Sequence, residues 1–237
     1  MSGFSKIRDI ADADASGRVW VTQFRKAVAS ATTTTNAGID YSYFAGSPPA
    51  NFYASAPLVS AVVEASRGIY VPTVGEGQKQ FLNNVKVMCS ASAATSNASG
   101  RQLLMLADYL MYYPFIDTDA VGEEQVLENT VTLPRYPGGQ VIAVAQSASS
   151  AVGQFTINYT NCDGVSGKVS GINRTSIVAG GGQVVNSQGA GTSYNSFINL
   201  QSGCKGVSSI QSVTMTGAGG GLMALVIATV HATSFSR

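Results

Sequence analysis

Four carboxylates fall within eight residues, at Asp117, Asp119, Glu123 and Glu124. Such a cluster could hold a hard cation, or set two carboxyls against each other for general acid–base chemistry. The plainer reading, a solvated loop or a salt-bridging surface toward a neighbour, is preferred. A second oxygen-rich stretch, Asp12-Ala13-Asp14-Ala15-Ser16-Gly17, matches the opening of a calcium loop at its first, third, fifth and sixth places. Its twelfth place is Gln23, where the site needs a bidentate Glu, so calcium is not expected there. The single histidine is His231. A Ser-His-Asp system would have to use it, and no Gly-x-Ser-x-Gly elbow accompanies it, so it reads as a surface or interface residue.

The remaining chemical signals are weaker. Gly180-Gly181-Gly182 and the run Gly217 to Gly221 lack the Gly-Lys-Ser/Thr ending of a phosphate cradle. They read as places for bulges and close approach between subunits. Cys89, Cys162 and Cys204 are an odd, widely spaced set without Cys-x-x-Cys, which is neither a disulfide framework nor a zinc site. Cys162 and Cys204 could pair; otherwise all three are free thiols. Asn97, Asn158 and Asn173 sit in Asn-x-Ser/Thr triplets, which read as chance matches in a chain this rich in Ser and Thr. The residues thus indicate no enzyme, no cofactor site and no metal site.

What stands out instead is aromatic. Residues 39–57, IDYSYFAGSPPANFYASAP, carry Tyr41, Tyr43, Phe44, Phe52 and Tyr53, yet are broken by Gly46, Pro48, Pro49 and Pro57. Proline forbids a regular helix or central strand here. An irregular aromatic segment is expected to lie as an extended arm along a protein surface, its own or a neighbour's. These five residues are the candidate partner-binding set. They and the cluster at 109–115 could also stack sugars as a lectin does, but packing in core and interface is the stronger reading.

The elements that would position this arm follow in order. Residues 4–15 suggest a short helix and 19–24 a strand. Leu58 to Ser66 suggests one or two helical turns. A boundary near 75–77 divides an N-terminal arm, 1–75, from a β domain, 76–237. Within 101–116 the first half reads as helix or strand, while Tyr112, Tyr113, Phe115 and Ile116 favour strand and Pro114 breaks any helix. Strands are expected at 80–90, 125–133 and 140–145. In 154–160, Phe155, Ile157 and Tyr159 point one way and Thr156, Asn158 and Thr160 the other. Asn161-Cys162-Asp163-Gly164 supplies turn chemistry, so a hairpin returning through Val165, Lys168 and Val169 is expected, with Gly167 able to host a bulge. Two more strands are read at 197–200 and 207–215. The last, 222–230, is apolar on both faces, so it lies either between core and partner or centrally under a covering segment. The fold class is all-β, a β-sandwich or jelly-roll-like domain with an irregular, extended arm.

Charge is scarce. Ionised residues make up 11% of the chain, against about 25% in an ordinary soluble domain. The net charge is +1, with 14 basic and 13 acidic residues, which argues against a nucleic-acid partner. Hydrophobic residues reach 45%, so the chain folds. Either much of its surface is covered by other subunits or it is a low-charge secreted β protein. The N-terminus shows no apolar signal core and no run has the length of a membrane helix, so no membrane partner is expected.

IDYSYFAGSPPANFYASAPL and DYLMYYPFIDTD resemble segments of tailed-bacteriophage virion proteins of the head decoration or cement type, over residues ~40–165. The resemblance implies β-sandwich or jelly-roll modules with extended arms and no catalytic residues. It implies a homo-oligomer, trimer or dimer, bound across subunits of a major capsid protein, located on the capsid surface of a virion assembled in the host cytoplasm. The alternative is a glycan- or receptor-binding module associated with a tail or fibre.

Overall fold

The computed structural model describes residues 6–19, 53–63, 75–76, 81, 103–175, 177, 181–182, 184–185 and 196–235. They form one short helix and two antiparallel sheets. The helix α1, Ile7–Ala15, falls where a helix is expected, with the Lys6 N–H bonded to the Asp9 carboxylate at its start. The strands are β1 Ala61–Val62, β2 Leu103–Asp117, β3 Glu124–Val126, β4 Gln140–Ala145, β5 Gln154–Asn161, β6 Lys168–Val169, β7 Asn173–Arg174, β8 Val184–Val185, β9 Val207–Gly217 and β10 Leu222–Phe235. The first sheet runs β1-β2-β10-β4-β8 and the second β3-β9-β5-β6, with β7 beside β6 on the same edge of β5. The chain is therefore all-β among its described residues, apart from α1.

One core draws on both sheets. Leu110, Met111, Tyr113 and Ile116 of β2 cluster with Phe155, Ile157 and Tyr159 of β5 and with Val207, Ile210, Val213 and Met215 of β9. The alternation in β5 holds, with every second side chain buried. The turn after it works as the residue types require. The Asn161 side-chain oxygen accepts the N–H groups of Asp163 and Val165, and Gly164 and Gly167 both take positive φ. Lys168 and Val169 then return beside Tyr159 and Asn158.

The stretch open to either reading, 101–116, is strand through all its described residues. Pro114 does not end it, because Pro114 and Phe115 together face the single residue Ala224 on β10, which makes a bulge. Phe115 sits at φ 59° and its N–H is taken by the Gln146 side chain. Strand β10 is central, between β2 and β4, and covered on its second face. Ala224 and Val226 there pack with Ile142, Val144, Val184 and Tyr53.

Three expectations change: of 125–133 only the start is strand, in β3, 197–200 makes a single bridge from Phe197 to Ile142 and no strand, and the stretch after Pro57 is not helical. One or two helical turns are expected over Leu58–Ser66; instead Leu58 ends a turn at φ 61° and the rest of the described part, 59–63, is extended. Ala61 and Val62 pair with Tyr112 and Met111, and Val59 bridges to Glu128. A local run of Leu, Val and Ala satisfies either period, and the free N–H and C=O groups at the edge of β2 decide for strand. Residues 53–63, within the stretch 1–75 expected as an arm, pair with β2 and bridge to Glu128. Strand signals at 19–24 and 80–90 lie almost wholly outside the described residues.

The glycine run 217–221 serves contacts within the chain. Gly219 backs onto Thr118 and Gly153, and Gly220 and Gly221 onto Ser150 and Ala148, with no room for a Cβ. It joins β9 to β10 under the loop that follows β4.

Candidate interaction surface

Because Phe155, Ile157 and Tyr159 face the core, Thr156, Asn158 and Thr160 face outward from the second sheet. Register then sets their neighbours. Thr156 lies beside Thr214, and Thr214 beside Glu124. Asn158 lies between Ser212 and Val169, with Val126 next to Ser212. Thr160 lies beside Ser209, and Gln154 beside Arg174. Over these rows the ionisable side chains are Glu124 and Arg174, at opposite edges of the sheet. Between them the face is hydroxyl and amide, flanked by the exposed valines Val126 and Val169 (67% and 52% exposed).

Such a face costs little to dehydrate compared with one carrying ions, and its groups both donate and accept. Three of its polar atoms are already shielded and lack a hydrogen-bond partner among the described residues: Asn158 Oδ1, Gln211 Oε1 and Arg174 Nε. A buried group left in that state costs about 1–3 kcal/mol. The sequence signal for this face lies in SSIQSVTMTG of β9 as much as in β5.

Of the five aromatic residues expected to bind a partner, Tyr41, Tyr43, Phe44 and Phe52 lie outside the described residues. Tyr53 is 2% exposed and packs in its own chain, its ring 5.1 Å from that of Tyr112. Its carbonyl accepts a bond from the Gln146 side chain. Its ring therefore has almost no surface left to offer a neighbour. Tyr113 is buried as well, and Tyr109 and Tyr112 pack against the cluster around Tyr53.

The carboxylates at 117–124 are not gathered around one point. Asp117 accepts the N–H of Asp119, and Asp119 accepts the N–H of Gly220. They cap turns, and no group of three metal-binding side chains is present among the described residues. His231 sits in a bulge of β10, exposed, with Nε2 3.4 Å from the Tyr136 hydroxyl. Nearby in sequence, Arg135 holds Asp108 through two bonds of 2.8 and 3.0 Å, a pairing no spacing rule exposes because β2 and the 134–139 loop meet only in three dimensions. Cys162 and Cys204 are free thiols.

Two tyrosines are perturbed by burial. Tyr113 donates to Asn129 Oδ1 at 2.7 Å and accepts from the Ile210 N–H at 3.0 Å. Desolvation drives its pKa far up, against the opposing pull of the Ile210 amide. Tyr159 is pushed up to about 12, chiefly by burial and then by the Cys204 thiol, with the Gln201 amide pulling the other way. Both hydroxyls fasten the interior and neither is set for proton transfer to a ligand.

No family model, no curated protein and no solved structure matches the chain. Among the described residues, no helix is long and apolar enough to cross a membrane.

Proposed function

We propose that the chain is a structural protein of a virion, of the head decoration or cement type, acting by binding and not by catalysis. On this reading its two sheets form a jelly-roll-like β-sandwich that sits as a dimer or trimer across subunits of a major capsid protein, on the surface of the particle. The resemblance of the two aromatic segments to phage virion proteins supplies the particle. The observation that carries the packing role is the outer face of the second sheet, where Thr156, Asn158, Thr160, Ser209 and Thr214, around the buried Ser212, form a field with ions only at its two edges.

Physical reasoning supports this use. A soluble monomer normally keeps mixed charge across its surface to stay apart from its copies. Here ionised residues are 11% of the chain. Permanent interfaces bury roughly 2,000 Å² or more and are depleted of charge at their centre. The glycan-binding alternative needs aromatic rings open to a sugar, and Tyr53 and Tyr113 are closed off in the interior.

The test is attachment. Residues 1–52 precede the packed segment, so a chain lacking them keeps Tyr53 and β1. We expect that chain to fold, with its β spectrum intact by circular dichroism, and to fail to bind shells that the full chain decorates. Normal decoration by the shortened chain would remove the role given to Tyr41, Tyr43, Phe44 and Phe52. Specific sugar binding on a glycan array would favour the tail-associated module instead.

A further inference from the structure

The outer face of the second sheet carries a pattern complementary to itself. Val126 and Val169 stand in one row at its opposite edges, because register runs from Val126 through Ser212 and Asn158 to Val169. Both are exposed, so each edge of a polar field presents an apolar side chain. The two ions are split between the same edges. Glu124 lies in the row of Thr214 and Thr156 on the β3 edge, and Arg174 lies beside Gln154 on the edge formed by β6 and β7. Their rows are two residues apart along β5, about 7 Å, within the reach of an arginine side chain.

Two copies of one face pack on each other symmetrically only about a two-fold axis, which makes every contact twice. Such an axis can run across the strands or along them, and either keeps the strands aligned, as packed sheets do within about 30°. An axis across the strands sets β3 on β3, which brings Glu124 toward Glu124 and Arg174 toward Arg174. An axis along the strands exchanges the edges and keeps the rows. Val126 of one copy then meets Val169 of the other, and Glu124 comes beside Arg174. Between the edges β9 lies on β5, so Thr214 meets Thr156 and Ser209 meets Thr160, hydroxyls that each donate and accept. Like charges set together in an interface are costly and opposite ones fix its register, which favours the axis along the strands.

We infer that the protein dimerises through this face about a two-fold axis along its strands, β3 of each copy lying over β6 and β7 of the other. The partner is a second copy because both halves of each complementary pair, apolar and ionic, sit on this one face. The valines share a row, and the ions lie one row apart. The inference rests on the assembly reading above and deepens it by naming the surface and the symmetry.

The test uses the full chain. Glu124→Arg and Arg174→Glu are made separately, circular dichroism confirms the fold of each, and light scattering follows mass against concentration. Either variant alone sets like charges together twice in the dimer, so we expect its dissociation constant to rise about tenfold or more. Mixed in equal amounts, the two restore both opposite-charge pairs, and we expect the affinity of the unaltered chain to return. A second measurement does not depend on Arg174 tolerating reversal. Val126→Cys is prepared unlabelled and Val169→Cys labelled with ¹⁵N, both at exposed positions. The mixture is treated with a bis-maleimide spanning about 10 Å, the spacing of packed sheets. The unsubstituted chain is carried alongside to account for its own cysteines. We expect mass spectrometry to find a peptide pair, one light and one heavy, joining positions 126 and 169. A pair joining 126 to 126 instead would place the axis across the strands and overturn the inference. If R174E does not fold, the link decides alone. If the unaltered chain assembles but the rescue or the link fails, this interface is wrong and assembly stands through another surface. If the unaltered chain stays monomeric at every concentration, both are wrong.

Discussion

The ring of Tyr53 stands 5.1 Å from that of Tyr112, tilted at 58°, and almost none of Tyr53 is exposed. The residue that opens the described part of the aromatic segment is thus a piece of the core's outer cover. Strand β10 can be apolar on both faces because this segment, with Phe197 and Tyr109, lies over the face turned away from the second sheet.

Tyr53→Ala is therefore expected to lower stability by roughly 3–5 kcal/mol, the cost of truncating a packed aromatic side chain. Urea unfolding of the dilute chain measures it. A ring whose only role were to touch a neighbour would leave the dilute chain's midpoint unchanged.

Tyr113→Phe removes one hydroxyl and leaves two groups without it, Asn129 Oδ1 and the Ile210 N–H. The second of these bonds crosses from β2 to β9, between the sheets. We expect a loss of about 1–3 kcal/mol with little change of structure, since the ring still fills its site. The denaturant midpoint, with an unaltered slope, reads this out.

Alkaline pH should unfold the protein through its buried tyrosines. Tyr159 is raised to about 12 from the ordinary value of 10.0, and Tyr113 is raised further. Between pH 10 and about 12 the unfolded chain has already released these protons and the folded chain has not. Stability is thus full below pH 10 and falls as pH rises through that window. The denaturation midpoint should be level from pH 8 to 9.5 and decline above 10, and the two phenols should ionise, by absorbance, only as the chain unfolds. A midpoint level through pH 11.5 would contradict the burial of both hydroxyls.

Gly139→Ala should be poorly tolerated. A Cβ at that position would stand 2.6 Å from the Ala228 carbonyl oxygen, which is backbone of the central strand and cannot swing aside. We expect a destabilisation of about 1–3 kcal/mol by overpacking. Gly164→Ala makes the comparison, since a Cβ there meets open space and only the positive φ resists it.

The sequence was most legible where one period governed a whole strand. In 154–161 the alternation names the inward residues, and the local turn chemistry of Asn161 and Gly164 names the bend. Strand β4 at 140–145 falls where it was expected. Legibility failed where distant partners decide. Val59–Val63 is extended, entered from a turn at Leu58, because of Leu110, Pro114 and Glu128, none of which the local run can reveal. Pro114 reads as a stop until Ala224 is seen opposite it. The acidic cluster at 117–124 reads as a solvated or salt-bridging loop, and what the sequence does not give is that its aspartates hold turn amides, because short side chains beside bent backbone find the nearest N–H first. The outer face of β9 carried the same uncharged pattern as β5, but Ser, Thr and Gln alone do not say whether they face water or another subunit.

The most direct measurement is the mass of the intact chain in solution, by light scattering over a wide range of concentration, set beside a T156K/T160K variant. Those two positions are half-exposed on the outward face of β5, where a lysine stem can carry its charge to water, so the cost to folding should be about 1 kcal/mol. We expect the unaltered chain to run as a dimer or trimer and the variant to fall toward monomer with an unchanged β spectrum. An unaltered chain that stays a single 24.4 kDa species at every concentration would contradict the central claim that this protein works by being packed among copies.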